Sequence, residues 1–104
     1  MTTDRSARFC LIAAVAVLAA PVALAQSGPT RSIVEIADGI YRAQNNNHHV
    51  VFMVTDEGAI VADTINTEFS GWLRDVIDSR FGVPVRYVVY SHHHWDHANG
   101  GGAF

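Results

Sequence analysis

The sequence predicts an α/β (α+β) domain that begins with an antiparallel meander and continues through one helix into a further strand. Three observations support this prediction. Short β-branched and apolar runs alternate with polar turns over residues 31–62, apolar residues recur at offsets of three and four over residues 67–81, and a second β-branched run occupies residues 85–90. A strand, a helix and a strand in this order are typical of a parallel strand pair joined by a crossover.

The first hairpin is predicted around an Asp-Gly turn. Residues 33–36 are mostly β-branched, Asp38-Gly39 follows, and residues 40–42 resume the apolar pattern. An Asp-Gly pair between two such runs favours a tight turn between antiparallel strands. We therefore expect two short paired strands here.

A second strand pair is predicted further along the chain. Asn45 to Asn47 reads as a loop, and His48 to Val54 is an apolar, β-branched strand. Residues 55–58 form a turn, and Ala59 to Ala62 is a buried-type strand that ends at Asp63.

The next segment changes to helical periodicity. Asn66 or Thr67 is suited to accept the free amide protons at the start of the helix, and Gly82 and Pro84 end it. The residues predicted to share one buried face are Phe69, Trp72, Leu73, Val76, Ile77 and Phe81. The run from Val85 to Tyr90 then predicts a buried, parallel strand that leads directly into a histidine-rich segment.

The first 25 residues have the three parts of an export signal. Arg5 and Arg8 form a short basic region, residues 9–20 are apolar throughout, and Ala23-Leu24-Ala25 is a small-x-small cleavage site. We expect a Sec-type signal peptide at residues 1–25 and a periplasmic or secreted protein with no stable membrane insertion after cleavage. The alternative is an uncleaved anchor that tethers the domain to the outer face of the membrane.

Cleavage after Ala25 defines the rest of the chain. Residues 26–31 are expected to be a flexible leader, and residues 32–104 a single, partial domain. Cleavage also removes Cys10, the only cysteine, so that stability must come from burial or from metal. The chain ends on a run of glycines followed by Ala103 and Phe104, which suggests that the C-terminal half of the domain is missing.

Composition excludes several classes of partner. The chain has 104 residues, of which 49% are hydrophobic and 16% charged, and this is typical of one globular domain. Its seven basic residues are all arginines spread along the sequence, and ten carboxylates outnumber them. No basic patch therefore favours nucleic acid, and a small-molecule substrate is the expected partner.

Four histidines and one aspartate fall within six residues, in the order His92-x-His94-x-Asp96-His97 with His93 between the first two. Residues two apart project to the same side only in extended backbone, so His92 and His94 can share an ion there but not on a helix. A bend after His94 then turns Asp96 and His97 toward a second position. The alternative is a surface histidine tract that binds divalent metal adventitiously.

Imidazole nitrogens with one carboxylate suit zinc best, with iron and manganese as alternatives, and the lack of thiolates argues against a structural cysteine-type site. An open zinc position lowers the pKa of bound water from 15.7 to about 7. Two ions some 3.5–4 Å apart can share a nucleophile. One or two ions are expected, but two ions need about six protein ligands, and this cluster supplies four.

The segment from Ser91 to Gly101 resembles the His-x-His-x-Asp-His signature of the metallo-β-lactamase superfamily. Residues 54–58 and 61–63 resemble the strand-turn-strand that precedes this signature. The resemblance implies that the chain is the N-terminal half of an αββα sandwich.

The same resemblance implies roles for individual residues. The first metal would take His92, His94 and a later histidine, and the second would take Asp96, His97 and another later histidine, often with a bridging aspartate. Asp63 would support the ligand loop by a hydrogen bond, the alternative being a simple turn residue at a strand end.

The activity implied is that of a zinc-dependent metallo-hydrolase. A metal-bound hydroxide would attack an ester, thioester, amide or lactam carbonyl, or a phosphate or sulfate ester, and Asp96 would be the catalytic residue that orients it. The 104-residue chain alone is expected to be incomplete and inactive. The alternative is a truncated, catalytically inactive metal-binding module, and the resemblance does not specify a substrate.

Two further positions are weaker candidates. His48 and His49 open a strand, and adjacent residues on a strand point to opposite faces, so that only one of them can face the site and contact substrate. His93 and Trp95 occupy the variable positions of the signature and are not expected to be ligands.

Overall fold

The computed structural model describes residues 27–104, which form one five-stranded mixed sheet with a helix packed on one face. The predicted signal peptide lies outside the described residues, and so does Gln26. The elements are β1 (Arg31–Ala37), β2 (Ile40–Asn45), β3 (His48–Thr55), β4 (Gly58–Ala62), α1 (Thr67–Phe81), β5 (Val85–Val89), α2 (Trp95–Ala98) and a 3₁₀ turn (Gly101–Ala103).

The strands lie in the order β1-β2-β3-β4-β5. The first four are antiparallel neighbours, whereas β4 and β5 are parallel and are connected through α1. The predicted α/β class is therefore confirmed, with a meander followed by one crossover. Among residues 27–104, neither helix is both long and apolar enough to cross a bilayer.

Tight turns join the antiparallel strands. The predicted Asp-Gly hairpin is confirmed, and Gly39 has a φ of 69°, in the left-handed region that glycine enters without strain. The second turn is shorter than the predicted three-residue loop, because Asn45 is the last residue of β2 and is buried. Asn46, with a φ of 54°, and Asn47 alone make the turn.

The C-terminal end of the predicted leader is hydrogen-bonded to the β2–β3 turn. Thr30 donates its amide proton to Oδ1 of Asn46 at 2.9 Å, and the Asn46 amide donates to the Thr30 carbonyl at 2.8 Å. Arg31 already belongs to β1 and donates from Nε to Oδ1 of Asn45 at 3.1 Å. These bonds to the β2–β3 turn hold two of the residues that the composition of the segment had suggested were loose.

The core lies between α1 and one face of the sheet. Phe69, Leu73 and Ile77 on α1 are fully buried, as the helical periodicity predicted. They pack with the buried sheet residues Ala43, Val50, Phe52, Ala59 and Val61. Each large apolar side chain buried in this way contributes about 1.5–3 kcal/mol.

The ends of α1 agree with the predicted caps. Oδ1 of Asn66 accepts the amide proton of Phe69 at 2.8 Å, which satisfies one of the free donors of the first turn. Gly82 closes the helix in the left-handed conformation, and its amide donates to the Asp78 carbonyl at 2.8 Å.

The opposite face of the sheet carries an apolar surface that residues 27–104 do not cover. Strand register aligns one row across all five strands, namely Val34, Arg42, Val51, Ala62 and Val89. Val51, Val89 and the neighbouring Met53 and Tyr87 are exposed. The prediction that β5 is a buried strand is therefore wrong for this part of the chain: β5 is an edge strand with a helix on one side only. In an αββα sandwich, this face would lie against the second sheet.

Two left-handed residues make the connection between β4 and α1 short. Asp63 has a φ of 66° and Ile65 a φ of 63°. This conformation costs about 1–3 kcal/mol for a β-branched residue. The Ile65 side chain is 5% exposed. Its burial is worth a comparable amount, so the packing offsets the backbone strain.

The segment after α2 packs closely on this connection. Gly100 has a φ of 94°, and a Cβ at this position would overlap the Asn66 carbonyl carbon and the Thr67 nitrogen. Only glycine permits such a close approach between two backbones.

We expect Gly100→Ala to destabilise the fold by about 2–4 kcal/mol, because the added methyl group combines a strained φ with a backbone overlap. Thermal unfolding monitored by circular dichroism measures the change. Gly102→Ala is the matched control, since a Cβ there meets nothing within 4 Å. Equal melting temperatures for the two variants would contradict this account of the contact.

Candidate metal centre

Three strand ends meet at one edge of the sheet. The parallel register of Ala62 with Val89 places the carboxyl ends of β4 and β5 side by side. The antiparallel register of Val51 with Ala62 places the beginning of β3 beside them. Polar residues that follow β4 and β5 therefore share this edge with His48, the first residue of β3.

The ligand loop, residues 91–99, follows β5. Its first part is not helical, and His94 has an extended conformation, with φ of −60° and ψ of 139°. One helical turn, α2, then begins at Trp95. The residues before α2 are non-helical, as the predicted arm requires, and the bend after His94 is this single turn of helix.

The imidazole rings of the loop lie close together. The ring centroids of His92 and His94 are 4.6 Å apart, and those of His92 and His97 are 4.5 Å apart. His48 joins the group from β3, with its centroid 6.3 Å from that of His97. The loop thus brings its three signature histidines together with a fourth from another strand.

Asp63 is the buried carboxylate of the site. Its Oδ1 accepts the Ser91 amide proton at 2.9 Å, and its Oδ2 accepts the Ser91 hydroxyl proton at 2.8 Å. Nδ1 of His97 lies 3.2 Å from Oδ2. Burial alone would raise the pKa of Asp63, but the two hydrogen bonds from Ser91 and the proximity of His97 hold this pKa below its usual value.

These contacts determine which nitrogen of each ring carries the proton. A carboxylate only accepts, so Nδ1 of His97 must be the donor to Asp63. The Ser91 hydroxyl gives its one proton to Asp63, so it accepts from Nδ1 of His92, which is 2.6 Å away. In the neutral form of both rings Nε2 then carries the free lone pair, the form in which histidine binds a metal.

Asp96 lies in the first turn of α2, with about half of its side chain exposed. Its Oδ2 is 3.3 Å from Nε2 of His48 and 3.8 Å from Nε2 of His97. Partial desolvation raises the pKa of Asp96, but its own backbone amide and the two imidazoles outweigh that effect and hold the pKa below its usual value. The carboxylate is consequently ionised at neutral pH.

The connection between β4 and α1 is hydrogen-bonded to the end of β5 and to the ligand loop. The Asp63 amide donates to the Val89 carbonyl at 2.9 Å, and the Thr64 amide donates to the His97 carbonyl at 3.1 Å. The Thr64 hydroxyl donates to the Asn99 carbonyl at 2.6 Å. Within residues 27–104, every buried side-chain nitrogen and oxygen has a hydrogen-bond partner.

The donor atoms fit a divalent metal. Ligand atoms of Asp63, His92 and His97 all lie within 4.8 Å of one another. Imidazole nitrogens and carboxylate oxygens without thiolates suit zinc, and also iron or manganese. Both oxygens of Asp63 already accept hydrogen bonds, which favours the predicted supporting role over direct ligation. That role and the ligand set of His92, His94, Asp96 and His97 stay predictions.

Two contacts were not anticipated from the sequence. The contact of Ser91 with His92 has only a weak signal in the sequence, namely a polar residue between a strand end and the first histidine. His48 was only a weak candidate. The antiparallel register was the missing signal, because it places the start of β3 at the carboxyl end of β4. His49 is exposed, as are His93 and Trp95, and Trp95 is 78% exposed.

Comparisons with known proteins find matches in structure but not in sequence. No protein-family model matches the chain, and no curated protein matches it in sequence. Among solved structures, a metallo-β-lactamase from Hirschia baltica matches with a TM-score of 0.64 and 16% identity over 70% of this chain and 38% of that one.

Two further metallo-β-lactamases, both solved in a mono-zinc form, also match over 70% of this chain. FIM-1 from Pseudomonas aeruginosa has a TM-score of 0.64 with 16% identity, and the chain covers 37% of it. An NDM_FIM-1-like enzyme from Erythrobacter litoralis has a TM-score of 0.58 with 22% identity, and the chain covers 38% of it. The chain thus spans under two fifths of the length of these enzymes. Its described residues form part of the αββα metallo-β-lactamase fold.

Proposed function

We propose that the chain is the metal-binding N-terminal part of an exported, zinc-dependent hydrolase of the metallo-β-lactamase superfamily. The observation that carries the proposal is that His92 lies beside His94 and His97, and Asp96 beside His97, next to the buried carboxylate of Asp63. Export rests on the sequence of residues 1–25 alone.

His92 and His94 would hold one ion, and Asp96 and His97 a second. When bound, zinc supplies a Lewis acid and a source of hydroxide at neutral pH. Asp63 and Ser91 hold the Nδ1 protons of His97 and His92 in place, so that each neutral ring would present Nε2 to the metal.

Asp96 has a second role in this proposal. Because its pKa is low, its carboxylate is available to accept a hydrogen bond from the attacking nucleophile and thereby to orient it. The bond attacked would be that of an ester, thioester, amide or lactam, or of a phosphate or sulfate ester. The small-molecule substrate would reach the exposed face of the ligand loop.

A metal-binding module without hydrolase activity is the second candidate. The observation in its favour is that the chain spans only 37–38% of each metallo-β-lactamase that it matches. The two candidates share the metal site and differ in turnover.

We expect the chain to bind zinc and His94→Ala to weaken that binding at least about tenfold, because the variant removes a ligand. Competition with a chromophoric chelator measures the affinity. His93→Ala is the matched control, since His93 is an adjacent, exposed imidazole outside the ligand set. Equal affinities for the two variants would contradict the assignment of His94.

Turnover distinguishes the two candidates. We expect a zinc-loaded full-length protein that includes the C-terminal half of the domain to hydrolyse at least one member of a panel of lactam, ester, thioester, phosphate ester and sulfate ester substrates, and His94→Ala in that protein to lose the activity. Stoichiometric zinc in the full-length protein without hydrolysis of any panel member would instead support the binding module. If the wild-type protein bound no zinc, both candidates would be contradicted.

We expect Asp63→Ala to weaken zinc binding about 10- to 100-fold and to destabilise the metal-free chain by about 2–3 kcal/mol. Both effects follow from leaving the Ser91 amide, the Ser91 hydroxyl and Nδ1 of His97 without their acceptor. Chelator competition and thermal unfolding measure the two quantities. Asp78→Ala, an exposed change on α1, should alter neither; an Asp63→Ala variant as stable and as zinc-avid as this control would refute the supporting role.

A further inference from the structure

His48 reaches the ligand loop from a hairpin that is fixed at several points. The turn before it is tied to Thr30 by two hydrogen bonds of 2.8 and 2.9 Å, and the preceding Asn45 accepts a bond from Arg31. Asn45 and His48 are register partners that close the β2–β3 ladder. The backbone of His48 is therefore held independently of the ligand loop.

The alternation of β3 directs the two neighbouring histidines to different sides. Val50 and Phe52 share the phase of His48 and are buried against α1, whereas His49 shares the phase of the exposed Val51. His48 is the first residue of the strand and lies beyond the core, so that its side chain, on the same face as Val50 and Phe52, reaches the ligand loop. Its Nε2 lies 3.3 Å from Oδ2 of Asp96, across 48 residues of sequence.

This contact involves a carboxylate that has few other restraints on its side chain. Asp96 is half-exposed on a helix of one turn, so its side chain is free to rotate unless something holds it. A carboxylate only accepts, so Nε2 of His48 is the donor. A contact between side chains this exposed adds little to folding stability, and its effect lies in the orientation of Asp96.

We propose that His48 is a positioning residue of the metal centre, which donates a hydrogen bond to Asp96 and orients that carboxylate for metal binding. The inference rests on the proposed function, because it takes Asp96 to be a ligand. Partners that hydrogen-bond a ligating carboxylate commonly change metal affinity by about 10- to 100-fold.

The test compares three variants of the full chain in zinc competition with a chromophoric chelator. His48→Ala removes the donor and should weaken zinc binding about tenfold or more. His48→Gln places an amide N–H near the position of Nε2 and should restore the affinity to within about threefold of the wild type. His49→Ala, the control on the opposite face, should bind as the wild type does. Circular dichroism of the metal-free chains should give the same melting temperature for all.

Each other outcome contradicts the inference. Unchanged affinity in His48→Ala shows that the contact does not matter, and equal losses in His48→Ala and His49→Ala show a general effect of the strand. Equal losses in His48→Ala and His48→Gln show that the imidazole itself is required, as a direct ligand would be. A wild-type chain that binds no zinc refutes the proposed function, and the inference with it, whereas the preceding outcomes refute the inference alone.

Discussion

The buried carboxylate of Asp63 is the interaction on which the arrangement of the site depends. It joins two segments that are distant in sequence, the end of β4 and the loop after β5, through the amide and hydroxyl of Ser91 and the ring of His97. Without an acceptor there, three donors would lie beside the sheet without partners, at a cost of about 1–3 kcal/mol each where they are buried. The same contacts set the tautomers of two histidines, so one residue links the stability of the loop to its capacity to bind metal.

The topology of the sheet explains why these groups meet. The helix between the two parallel strands carries the chain back to the end of the sheet where β4 began, so that β5 ends at the same edge as β4. The antiparallel neighbour β3 contributes its first residue at that edge. Core and site thus use different parts of the same strands. In β3, Val50 and Phe52 pack on α1, and His48, two residues before Val50, contacts Asp96 of the loop.

Local patterns in the sequence accounted for most of the elements and for the signature histidines. The helix from Thr67 to Phe81, its caps and the Asp-Gly turn follow from periodicity and turn chemistry, which act over a few residues. The ends of the antiparallel strands are harder to predict from local patterns. Whether Asn45 belongs to a loop or a strand, and whether Thr30 is loose, depends on hydrogen bonds across the β2–β3 turn.

In the site, too, local features could be predicted from the sequence and contacts between distant residues could not. Spacing alone indicated an extended arm followed by a bend, but the contact of His48 with Asp96 required knowledge of strand register across 48 residues. The expectation of a buried β5 failed for a related reason. An apolar run shows that a strand has a covered face in some assembly, and it does not show which layer supplies the cover.

Position 63 satisfies two demands that few amino acids meet together. Its backbone has a φ of 66°, which glycine, asparagine and aspartate tolerate best. Its side chain must also accept from three donors with two oxygens. Glycine meets only the first demand, glutamate adds a methylene and is less suited to the left-handed backbone, and asparagine replaces one oxygen by a donor. A substitution at position 63 therefore fails either the backbone requirement or the side-chain requirement. Aspartate is the one residue that fulfils both.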